Sequence, residues 1–145
     1  MIYTEMTKKA LSLSFEAHKD QKDKSGMPYI FHPFHLAEQM KDEAATIVAL
    51  LHDVVEDSDY TFEDLKREGF GPQILEALEL LTHDPKVPYK DYVAKIKGNE
   101  LAKAVKLADL AHNSDLSRMA PEEIDEKVLA RRKKYQEATA FLMEE

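Results

Sequence analysis

The chain has 145 residues, 28 acidic against 20 basic, six histidines, no cysteine and a net charge of −8. A hydrophobic share of 43% beside a charged share of 33% fits one soluble globular domain with a real core. This composition excludes disulfides, thiolate zinc sites and cysteine nucleophiles, offers no basic face for general nucleic-acid binding, and contains no membrane-spanning run or signal peptide, so the expected location is cytoplasmic.

Four glycines in the whole chain, with frequent Ala, Leu, Glu and Lys, favour helix, and no sustained alternation favours strand. A first helix is expected from about Thr4 to Lys19, followed by a polar loop, Asp20 to Gly26, that runs into Met27-Pro28-Tyr29. Pro33 suits the first turn of a second helix, which places His32 at its entry. The pattern predicts a third helix over Glu43 to Asp57. Thr61 caps a short fourth helix, with Asp64 at its third position and Gly69 just past its end. Pro72 opens a fifth helix, to about Thr82. Tyr89 to Lys97 forms a sixth, closed by Gly98-Asn99, Glu100 to about Arg118 a seventh, and Pro121 to Glu145 a long last one. There are no repeats or linkers, so the expected fold is a compact all-α bundle over residues 1–145.

The octapeptide Leu50-Leu-His-Asp-Val-Val-Glu-Asp57 breaks into an apolar helix with four ionisable groups. Buried charge is costly unless it is paired, hydrogen-bonded or bound to metal. His52 and Asp53 can reach one ion. Glu56 and Asp57, one helical turn beyond them, are placed to steer a water. Asp109 repeats the situation inside Ala104-Val-Lys-Leu-Ala-Asp-Leu-Ala-His-Asn113, mid-helix where capping is unavailable, with Asn113 one turn on. With His32 this makes a candidate ligand set of His32, His52, Asp53 and Asp109. Two imidazoles and two carboxylates suit manganese, iron or zinc. A metal with an open position points to hydrolysis. Lys19, Lys22 and Lys24, in the loop leading to His32, form the local basic patch that an acidic chain needs for an anionic substrate.

At these residues the chain resembles the HD-domain metal-dependent phosphohydrolases, and more finely the hydrolase domain of RelA/SpoT-type proteins and their small stand-alone relatives, which remove the 3′-pyrophosphate of (p)ppGpp. The matching segments are Lys24-Ser-Gly-Met-Pro-Tyr-Ile-Phe-His-Pro33, Ala49 to Asp57, Thr61-Phe-Glu-Asp-Leu65, Phe70-Gly71, Val105 to Asn113, and Arg131-x-x-x-Tyr135. The resemblance implies an HD-domain helical bundle in which His32, His52, Asp53 and Asp109 hold one ion, manganese by preference. It implies that Glu56 and Asp57 orient and deprotonate the attacking water. Lys24, Ser25, Lys106, Asn113, Arg131 and Tyr135 would bind the nucleotide's phosphates or ribose. The implied partner is a small nucleotide, with no nucleic acid, no membrane and no synthetase region. The oligomeric state stays open.

The chain also departs from the resembling proteins. Asp23 stands where they place a base-stacking Arg, Leu110 follows the metal Asp where they carry Arg or Lys, and Asp115 stands where they tend to be basic or apolar. An Asp cannot stack as a guanidinium plane does. The metal and water machinery is complete while the base-reading part is altered. The leading expectation is a (p)ppGpp hydrolase. A hydrolase for another nucleotide phosphate and a low-turnover nucleotide sensor are the alternatives. An all-α interaction domain would leave four metal-type ligands in this order without an explanation. On sequence alone, Asp23→Arg is expected to tighten guanosine tetraphosphate.

Overall fold

A computed structural model describes all 145 residues. Nine helices follow in order: α1 Glu5–His18, α2 Phe31–Glu38, α3 Glu43–Leu51, α4 Val54–Asp57, α5 Phe62–Arg67, α6 Pro72–Leu81, α7 Tyr89–Lys97, α8 Glu100–Asn113 and α9 Glu126–Met143. Two 3₁₀ turns, Leu116–Arg118 and Pro121–Glu123, join α8 to α9. There is no sheet; one isolated antiparallel bridge, Lys22 to Pro28, closes the loop after α1. The all-α expectation holds.

Local chemistry starts the helices where the sequence signals them. Thr4 and Thr7 cap α1 reciprocally, and Thr61 and Asp64 do the same for α5. Asp42 and Asn99 accept from backbone N–H groups at the starts of α3 and α8. Gly69 ends α5 at φ +99°, a conformation that glycine adopts at little cost.

The centre is α3. Every residue from Ala45 to Leu51 is buried, as expected of a helix apolar on all sides. It packs on α1, α2, α6 and α8. Its Ile47 and Leu50, with Leu36, Leu78, Ile96, Leu110 and Leu142 from other helices, are among the largest buried side chains. Leu110, one of the departures, belongs to this core and not to the substrate side.

Three boundaries differ from expectation. The predicted helix Glu43 to Asp57 breaks at His52-Asp53, where Asp53 takes φ −107°, ψ 1°. The His52 ring Nδ1 bonds the Ala49 carbonyl at 2.7 Å, so a side chain occupies the acceptor that a continuing helix needs. The seventh helix ends at Asn113 because Asp115 turns to cap Ser117 through both its N–H and its hydroxyl. The last helix starts at Glu126 because Ala120, before Pro121, is extended and Asp125 provides the N-cap.

A candidate metal centre and the cavities beside it

His32 enters from the first turn of α2, His52 from the turn after α3 and Asp109 from the middle of α8; all three are buried. One ligand atom from each lies within 4.8 Å of the others. His32 Nε2 is 2.8 Å from Asp109 Oδ1, and His52 Nε2 is 3.6 Å from the same oxygen. Asp53 lies outside this trio but abuts it: its Oδ2 is 3.0 Å from His52 Nε2 and accepts the hydroxyl of Tyr29.

The tautomers favour an ion. His52 Nδ1–H donates to the Ala49 carbonyl, which leaves Nε2 to take a proton or an ion; this buried nitrogen has no well-aligned hydrogen bond although carboxylate oxygens surround it. His32 Nδ1 is 2.7 Å from His112 Nδ1, and the two rings stack at 5.0 Å. Burial and Arg118 hold His112 down to about 4, so it is neutral near pH 7 and can accept from His32. Fixing one ring nitrogen with a second partner is how proteins aim the other at a metal.

The electrostatics agree. Burial alone lowers the basicity of His52, but Asp53 and Asp109 outweigh it and hold the imidazole well above its usual value. Burial pushes Asp53 up, yet the charge of His52 prevails and holds it at about 2. The cluster therefore attracts positive charge, a proton or a divalent cation. Lys106 answers part of this demand: its Nζ is 3.0 Å from Asp109 Oδ2, with only 12% of the side chain exposed. Burial would lower its pKa, but Asp109 outweighs that and raises it. Asn113 Nδ2 donates to Asp109 Oδ1 at 3.0 Å.

One cavity lies at this centre and a second adjoins it. The smaller, about 200 Å³, is walled by His52, Asp53 and Asp109 together with Glu56, Lys106, Asn113 and Tyr135. The larger, about 340 Å³, is lined by Lys22, Lys24, Ser25, Arg118, Arg131 and Arg132, among others. Asn113 and Tyr135 border both. Glu56 Oε1 accepts the His83 backbone N–H. Burial of its stem raises the Glu56 pKa, and that hydrogen bond opposes the rise. Asp57 is raised by burial and then by Asp53, but it lines an adjacent acidic depression with Glu16, Asp59 and Asp64. Ser25 Oγ is engaged by Glu123 at 2.8 Å. Lys19 turns away and pairs with Glu16, so Lys22 and Lys24 alone carry the expected loop patch into the cavity.

Asp23 is a turn residue. Its Oδ1 accepts from the Ser25 and Met27 N–H groups, each at 2.9 Å, and its Oδ2 faces Arg118 at 3.5 Å. An Arg at position 23 loses both turn bonds and meets Arg118, which reverses the sequence-based expectation of tighter binding. Asp23→Asn keeps the amide oxygen for the turn and removes the charge beside Lys22 and Lys24. It is expected to lower KM for a highly anionic nucleotide severalfold and to leave kcat nearly unchanged, which steady-state kinetics at low salt would check.

Sequence reasoning missed Tyr29, His83, Tyr89, Arg118, Arg132 and Lys134 as parts of these walls, and His112 as the partner of His32. One signal was available: Arg131, Lys134 and Tyr135 are spaced three and four apart and share a helix face. The basic run reads as solvated until α9 is laid on α8. No helix is long and apolar enough to cross a membrane.

The sequence profile of the HD domain family matches residues 10–131. The chain is 39% identical over 97 residues to the guanosine-3′,5′-bis(diphosphate) 3′-pyrophosphohydrolase of Aquifex aeolicus, covering 64% of this chain but only 14% of that protein. Against the MESH1 guanosine-3′,5′-bis(diphosphate) 3′-pyrophosphohydrolases it is 35% identical for Danio rerio, covering 77% of this chain and 69% of that protein. For Homo sapiens it is 36% identical, covering 78% and 70%. The solved structure described as "A metazoan ortholog of SpoT hydrolyzes ppGpp and plays a role in starvation responses" superposes with a TM-score of 0.77 over 98% of this chain and 87% of that one, at 24% identity, a likeness of fold.

Proposed function

We propose, from the premise that this chain belongs to the HD domain family, that it is a divalent-metal-dependent phosphohydrolase removing the 3′-pyrophosphate of guanosine 3′,5′-bis(diphosphate). The observation that carries the reading is the buried His32, His52 and Asp109 trio, whose His52 and Asp109 line a cavity that shares Asn113 and Tyr135 with a neighbouring cavity walled by cations. Residues 1–145 act as one domain in this reading. His32, His52, Asp53 and Asp109 would hold the ion, with manganese the preferred metal for this mixed nitrogen and oxygen set. When bound, such an ion acidifies water and neutralises phosphate charge.

The chain's own groups do the rest. Glu56, with Oε1 tied to the His83 N–H, takes a proton from the attacking water at Oε2. The resemblance gives Asp57 the same role, and it lines the neighbouring depression. Lys106 balances the charge of Asp109, and Asn113 holds the carboxylate in place. Lys24, Ser25, Arg131 and Tyr135 bind the nucleotide in the larger cavity. Positioning and electrostatics supply most of the rate in such a reaction. A second reading, hydrolysis of a different nucleotide phosphate, is favoured by one observation: Asp23 and its partner Arg118 occupy the wall that would meet the base.

The test is a panel of nucleotide phosphates with manganese against EDTA, with the products identified. Release of pyrophosphate from guanosine tetraphosphate supports the first reading, turnover of another nucleotide alone the second, and no turnover of any nucleotide refutes both. Metal ligation also competes with protons. Carboxylates hold the metal-free His52 above its usual value, so protons compete for the site more strongly than at an ordinary imidazole, and occupancy should fall steadily as the pH is lowered. Elemental analysis after equilibration across pH, without a chelator, would show this.

A further inference from the structure

The helix that carries Glu56 and Asp57 is a single turn, Val54–Asp57. One turn cannot hold itself in water, because nucleation fixes several residues for one hydrogen bond. Its anchor lies outside the short motif segments quoted above. Gln21, in the loop after α1, donates its amide to the Asp57 carbonyl at 2.7 Å and to the Ala17 carbonyl at 3.3 Å. Its amide oxygen accepts from His18 Nδ1 at 2.7 Å. His18 is only 1% exposed, and its ring lies 4.9 Å from that of Tyr29. The Gln21 backbone completes the junction: its N–H donates to the His18 carbonyl, and its carbonyl accepts the N–H of Tyr29 at 2.9 Å. Tyr29 in turn donates its hydroxyl to Asp53. One residue thus joins the end of α1, the end of α4 and the tyrosine that holds a candidate ligand.

We propose that Gln21 is a positioning residue, oriented by His18, which clamps α4 and so sets the direction of Glu56 and Asp57 for the reaction. The inference rests on the hydrolase reading for its consequence but not for its geometry. The donor is what matters: a carboxylate at position 21 still accepts from His18 but cannot donate to the Asp57 carbonyl. Gln21 is partly open to solvent and lies in a loop, so its replacement leaves the core intact.

The test compares the full-length parent with Gln21→Glu, Gln21→Ala and His18→Phe, the last keeping a ring beside Tyr29. Hydrogen exchange of peptides spanning residues 54–58 needs no substrate. The expected result is about tenfold faster exchange there in all three variants, with the core of α3 still protected. Kinetics on whichever nucleotide the parent hydrolyses should show kcat about tenfold lower, KM within twofold and metal content unchanged. A purely structural role would lower the melting temperature without this split. Unchanged exchange in Gln21→Glu overturns the clamp. Faster exchange with parental kcat overturns its catalytic role. An inactive parent whose α4 loosens in the variants supports the clamp and removes the hydrolase reading around it.

Discussion

Glu56→Gln is expected to keep the bound metal and to lose roughly 10²- to 10⁴-fold in turnover, the usual contribution of a general base. The substitution is close to isosteric, and its amide oxygen can still accept the His83 N–H that holds Oε1. What it removes is the ability to take a proton. The pH profile adds a second mark. A base works only when deprotonated, and burial raises Glu56 above the ordinary carboxylate value. Parental kcat should therefore climb with pH on an acid limb displaced upward, and the part of that limb not accounted for by metal loss should vanish in the variant. Asp57→Asn should cost less, since Asp57 lines the neighbouring depression and not the cavity shared with Asp109. Metal content and kcat against pH, measured on both, decide the matter. A Glu56→Gln protein with bound metal and near-parental turnover would leave Glu56 without the role given to it.

Asp109→Ala is expected to abolish metal binding and to destabilise the metal-free protein by about 3–5 kcal/mol. Asp109 is 7% exposed, accepts from Lys106 and Asn113, and lies 2.8 Å from His32 Nε2. Deleting it leaves the Lys106 ammonium nearly buried without a counter-ion, and an unpaired buried charge costs more than the intact pair contributes. Lys106→Met in the same chain removes that stranded charge, so the double variant should recover much of the loss in denaturant unfolding. It should not recover the metal. In the parent, manganese at a hundredfold excess over Kd should add about 2.7 kcal/mol, and in either variant nothing. If the double variant were no more stable than Asp109→Ala, the cost would lie in packing and not in the stranded lysine.

Much of this was legible along the chain. Thr61, Asp64 and Gly69 act through neighbours a few residues away, so one stretch of sequence holds both halves of each cap. His52 and Asp109 stood out because ionisable groups in apolar helices need a partner, and His32 through the motif that carries the resemblance. Whether Asp53 belongs with them was less legible, since consecutive residues of a helix point about 100° apart. The break at His52 shows why. A helical pattern ran through to Asp57, but a ring nitrogen bonding the Ala49 carbonyl ended the helix and re-aimed the next turn.

The sequence by itself determined the helical class, most helix starts, the buried run of α3 and the residues that demand a cation or a counter-charge, because propensity, capping and burial are local. Only the tertiary structure decided that Lys106 balances Asp109, that His112 braces His32, that Asp23 closes a turn against Arg118, and that Gln21 holds the end of α4. Those pairings, apart from the local Lys106 to Asp109, join residues distant in the chain. Which donor meets which acceptor there depends on how α1, α2, α8 and α9 settle around α3, and that follows from filling the core and not from any one segment.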